Sequence, residues 1–69
     1  MTPEELETVG KTLYGKRWQT DLARSLKLNP RTVRRYTHGE AIGKATREAI
    51  INLLAERLGI ITGLLARFK

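Results

Sequence analysis

Two apolar helical stripes separated by only three residues constrain this chain more than any other feature. Leu22, Ala23 and Leu26 recur at helical spacing, and Val33 and Tyr36 repeat the pattern downstream. Between the stripes lies Lys27-Leu28-Asn29, which has room for nothing but a tight bend. Asn29 is a favoured N-cap and Pro30 suits the first position of a helix. The pattern predicts a second helix that begins near residues 17–19 and ends at about Leu26. A third helix starts at Pro30 and is stopped by Gly39. The small Ala23 lets the two helices cross closely.

The flanking sequence is helical as well. Thr2, Pro3 and Glu5 form a capping box for a first helix, with Glu4, Glu5 and Glu7 at the positive end of its dipole. Leu6, Val9, Leu13 and Tyr14 make its apolar stripe, and Gly15 is placed to end it in a left-handed turn. Residues 40–43 form a loop. A fourth helix is expected from about Lys44 to Leu58, its core face made by Ala45, Ala49, Ile50, Leu53 and Leu54, with Gly59 as terminator. Residues 60–69 carry apolar side chains on one face of a short fifth helix. No strand alternation, internal repeat or linker interrupts this. The expected fold is all-α, a single domain over 1–69 of four to five short helices.

Sixty-nine residues give one small core, burying only about 60% of the unfolded chain's surface. The chain has no cysteine and one histidine, so disulfides, a thiol nucleophile and a sulfur-ligated zinc are excluded. No metal site, cofactor or catalytic residue is expected, nor a pocket for a small-molecule ligand. No run of about 20 apolar residues stands out as a membrane span. The expected location is the cytoplasm, with no membrane partner.

Charge points to a partner. The net charge is +6, and it is unevenly spread. From Lys11 to Arg47 ten basic residues face only Asp21 and Glu40, a local excess of +8. Such a concentration suits a polyanion.

The segment Gln19-Thr20-Asp21-Leu22-Ala23-Arg24-Ser25-Leu26-Lys27-Leu28-Asn29-Pro30-Arg31-Thr32-Val33-Arg34-Arg35-Tyr36 resembles the helix-turn-helix of the small phage repressors, the lambda repressor and Cro-like proteins. The resemblance extends over residues 13–58. It departs at Lys27, where the family often has glycine in a left-handed turn. The resemblance implies a lambda repressor-like domain that binds double-stranded DNA, in a bacterial or phage-encoded regulator that represses its own short operon. The anti-CRISPR-associated regulators are similar in size and motif.

In that arrangement the third helix enters the major groove with the face opposite Val33 and Tyr36. Arg31, Arg34 and Arg35 are the expected base contacts, because a guanidinium fork matches guanine O6 and N7. Asn29 and Thr32 are secondary. Phosphate contacts are expected from Lys16, Arg17, Gln19 and Thr20 at the start of the second helix, where a helix N-terminus attracts anions. His38, Lys44 and Thr46 add donors. Trp18 is read chiefly as packing.

The C-terminal part carries more apolar side chains than one small core needs. Ile51, Leu58, Ile61, Leu64, Leu65 and Phe68 read as a homodimer interface within a dimerisation segment at about 50–69. A two-fold dimer would read a palindromic operator. The alternative reading is a protein-interaction module, an antitoxin or phage accessory protein, with only weak unspecific DNA binding. A membrane-active basic peptide fits less well, because the basic cluster and the best apolar face lie in different parts of the chain.

Overall fold

The computed structural model describes all of residues 1–69. The chain forms four α-helices and no strand: α1 (Pro3–Tyr14), α2 (Trp18–Leu26), α3 (Pro30–Thr37) and α4 (Lys44–Phe68), with a 3₁₀ turn at Gly15–Arg17 between α1 and α2. Helices α1, α2 and α3 pack on one another, and α4 lies against α2. The core consists of Leu6, Trp18, Leu22, Ala23, Val33, Tyr36 and Ile50, with Val9, Tyr14, Leu26, Leu28, Ile42, Leu53 and Leu54 packed around it.

Helix α1 starts as its sequence dictates. The Glu5 N–H donates to Thr2 Oγ1 at 3.1 Å, and the Thr2 N–H donates to Glu5 Oε1 at 2.8 Å. Two of the orphan donors at the helix start are thereby satisfied. Thr2's backbone N–H, followed by its hydroxyl, holds the Glu5 carboxyl below the ordinary carboxylate range. Gly15 ends the helix at φ 77° and ψ −148°. The φ is positive as expected, but the ψ lies in a region open essentially to glycine alone, not in the left-handed helical well. Gly10 has a role that no local sequence pattern marks. It is buried, and a methyl group built on it would overlap ring carbons of Trp18. The indole of Trp18 therefore lies directly on the α1 backbone, which accounts for its burial.

The bend between α2 and α3 is as short as the two stripes require. Lys27 caps α2 at φ 58° and ψ 39°, a left-handed conformation costing roughly 1–2 kcal/mol for a residue with a Cβ. Its N–H donates to Arg24 O at 3.2 Å, and the Leu28 N–H donates to Ala23 O at 2.8 Å. These bonds close the end of the helix and hold Lys27 in place.

Helix α4 departs from expectation. It is one continuous helix of 25 residues, so neither the stop at Gly59 nor a separate fifth helix is present. An interior glycine costs only about 1 kcal/mol relative to alanine. No proline or capping turn follows Gly59, and neither Gly59 nor Gly63 takes the positive φ of a helix-ending turn. Of the expected core face, Ile50 is fully buried and Leu53 and Leu54 are packed, whereas Ala45 is exposed. The helix then leaves the body, and the molecule measures 42 × 24 × 20 Å.

Continuity also changes the reading of the C-terminal apolar run. By length and composition α4 is able to cross a membrane, with a mean hydropathy of 1.6 over 18 residues, of which 6% are buried. Two features oppose that use. Glu56 and Arg57 sit in the middle of the apolar run, where each charge would cost about 2.5–3.5 kcal/mol at a bilayer centre. Arg57 is also tied to the body. Its guanidinium lies 5.2 Å from the Tyr14 ring centroid and donates to Tyr14 Oη at 3.2 Å. The Tyr14 hydroxyl in turn is hydrogen-bonded to Ser25 Oγ. This chain of contacts joins α1, α2 and α4, and its anchor, Arg57, has no signature in the sequence.

Candidate nucleic-acid interface

Helix α3 is short and firmly seated. Asn29 Oδ1 accepts the Arg31 N–H at 2.9 Å, Pro30 occupies the first position, and Val33 and Tyr36 are buried. At its end the Gly39 N–H donates to Tyr36 O and the Glu40 N–H donates to Arg35 O, both at 3.1 Å. Gly39 takes φ 108°, which a side chain would resist. Anchoring by Val33 and Tyr36 turns the remaining residues outward.

Arg31, Arg34 and Arg35 are exposed on this helix. None has an acidic partner, since the two ion pairs of the molecule are Lys11–Glu7 and Arg24–Asp21, at 2.6 and 3.8 Å. Three guanidinium forks on one short helix are thus left with their donors turned to solvent. The secondary candidates are less free. Thr32 is half-buried, and Asn29 commits its carbonyl oxygen to the cap, leaving its amide NH₂ as donor. His38, the C-cap of α3, is exposed.

Four of the residues expected at phosphates come together. Lys16, Arg17, Gln19 and Thr20 line a shallow surface concavity at the start of α2, with Trp18 as its apolar member. Lys16, Arg17 and Thr20 are exposed and Gln19 is half-buried. Arg17 is the N-cap residue of α2 and supplies no side-chain acceptor to it, and the one acid of the first turn, Asp21, is 3.8 Å from Arg24. Lys44 and Thr46 are not part of this concavity. They occupy the first turn of α4, whose N-cap Gly43 has no side chain, and Thr46 is half-buried.

The candidate interface side chains at the C-terminus lie apart from this face. Ile51, Leu58, Ile61, Leu64, Leu65 and Phe68 are all exposed, and those beyond Arg57 belong to a helical segment with no support from the rest of the chain. No group of three or more His, Cys, Asp or Glu side chains comes together.

Comparison with protein-family models, with characterised proteins and with solved structures finds no match.

Proposed function

We propose that this protein is a sequence-specific, double-stranded DNA-binding transcriptional regulator in which α2 and α3 act as a helix-turn-helix of the lambda repressor-like kind. The observation that carries the reading is the unpaired arginine face of α3, held out by the buried Val33 and Tyr36. A helix of this kind fits the major groove, and Arg31, Arg34 and Arg35 can address guanine edges. The Lys16–Thr20 concavity supplies phosphate contacts that set register without reading sequence. The partner is a palindromic operator bound by a homodimer, and occupancy of a promoter gives repression, including that of the protein's own short operon. On this reading the protein acts in the cytoplasm of a bacterium, with the gene either bacterial or phage-borne.

Selection of bound duplexes from a random pool tests the reading. A recovered two-fold palindrome, with G·C pairs at equivalent positions of each half-site, supports it. A pool that shows no enriched sequence after repeated rounds overturns it. A second reading has its own observation, the exposed apolar segment beyond Arg57. Under it the chain is a protein-interaction module, and the same selection returns unspecific binding only.

A further inference from the structure

One side of α4 carries an apolar spacing that starts at the body and continues past it. Ile51, Leu54, Leu58, Ile61, Leu65 and Phe68 follow one another at intervals of three, four, three, four and three residues. This is the a/d repeat of a helix that packs against another helix. The stripe begins on the body, where Leu54 touches the core and Ile51 is 43% exposed, and runs out to Leu58 at 66% and Phe68 at 79% exposed. Ile51, Leu58, Ile61, Leu65 and Phe68, from 43 to 79% exposed, form a continuous apolar strip of the kind that marks an interface. A segment of this length without tertiary support is only marginally helical in water.

We propose that this stripe pairs with the same stripe of a second copy, and that the two helices run antiparallel. The spacing is its own complement when reversed. Ile51 then faces Phe68 of the second copy, Leu54 faces Leu65, and Leu58 faces Ile61, with the two-fold axis between residues 59 and 60. Every a position meets a d position. The most exposed end of each helix covers the partly exposed base of the other, so the five exposed positions find a cover, and Leu54, already packed on the core, is flanked by Leu65. Charge selects this direction. A parallel pair would stack Arg67 and Lys69 of the two copies and bring two strongly basic bodies side by side. The antiparallel pair sets Arg67 beside the uncharged Asn52 and holds the bodies at opposite ends. A bilayer is the poorer cover. Beyond Arg57 only Leu58–Phe68 is free, about 16 Å of helix, roughly half a hydrocarbon core. The pairing involves α4 alone, so its failure and failure of the arginine face of α3 are separate results.

The absence of cysteine makes the geometry directly testable by disulfide cross-linking in the full-length chain without DNA. The double variant Ile51→Cys/Phe68→Cys should oxidise to a covalent dimer, whereas Phe68→Cys alone should stay largely uncross-linked. Leu65→Glu, outside the body's core, should keep its helical circular dichroism and raise the dimer dissociation constant at least about tenfold in sedimentation, because a charge is then buried without a partner. Efficient cross-linking of Phe68→Cys alone would show a parallel pair and overturn the proposal. So would a monomeric wild-type chain, an unfolded or still dimeric Leu65→Glu, or a monomer that floats with vesicles of mixed phosphatidylcholine and phosphatidylglycerol.

Discussion

Two residues, Lys27 and Glu5, have local chemistry that can be read independently of any partner. Lys27 holds the left-handed position that joins α2 to α3. Glycine has no Cβ to strain there but loses more chain entropy on folding. The balance predicts that Lys27→Gly stabilises the fold by about 0.5–1 kcal/mol, checked by urea unfolding with an unchanged m-value. Glu5 is the other case. Its folded pKa is depressed by Thr2, so its contribution is present above the unfolded carboxylate range and is lost as pH falls through the depressed value. Helicity of α1 should therefore decline on acidification in the wild type. In Thr2→Ala, which removes the hydroxyl of the box, that decline should be smaller. An identical acid profile for the two would show that the Thr2 hydroxyl contributes nothing, since the backbone N–H at residue 2 is present in both. The capping box is legible in the chain, because capping chemistry depends on neighbours within four residues; the left-handed turn at Lys27 is implied only by the resemblance to the phage repressors. Gly10 and Arg57 are not legible there. Their roles come from Trp18 and Tyr14, at sequence distances that no local pattern reports.

The helices themselves divide in the same way. Helices α1 and α3 begin where a capping side chain and a proline mark them and end at or just before a glycine, whereas α2 starts after Arg17 without a side-chain cap and ends at Lys27. Short range governs helix ends, and those of α1 and α3 are strongly marked. Helix α4 differs, because the glycine expected to stop it does not. Without a capping turn or a following proline it is only a weak spot, and the helix runs through both Gly59 and Gly63. Of the candidate site, the arginine face and the Lys16–Thr20 cluster follow from spacing once α3 is anchored. The reduced freedom of Asn29 and Thr32 does not, since it depends on which atoms the cap and the packing consume. On α3, Arg34→Ala or Arg35→Ala should weaken binding to a selected duplex by about 1–3 kcal/mol per subunit and relax preference at one base pair. Lys16→Ala should weaken all sequences alike and reduce the salt slope by about 1. Anisotropy titrations on matched and mismatched duplexes separate the two effects. If both kinds of variant behave identically, α3 does not face the bases.

At the scale of the whole molecule, two properties stand apart in space. One is the basic body, with unpaired arginines on α3 and a lysine–arginine concavity beside α2. The other is the apolar arm formed by the outer part of α4. A monomer would leave the arm in water and would read only a short stretch of DNA. Two copies joined through the arms would cover the apolar surface and present two arginine faces, which is what specific recognition by so short a helix needs. Such a dimer, neutralising several phosphates per subunit, should lose affinity with salt at a log–log slope of roughly −5 to −9. A slope near −1 on a selected duplex would remove the phosphate contacts from the account.

Sequence preference is the central claim, and competition binding addresses it most directly. A labelled duplex recovered by selection is bound at near-physiological salt and challenged with either the same duplex unlabelled or a scrambled one of equal length and composition. The scrambled competitor should be needed at about 10³-fold or greater excess for the same displacement. Equal potency of the two competitors would contradict it, and the arginine face of α3 would then be a general anion surface with no sequence to read.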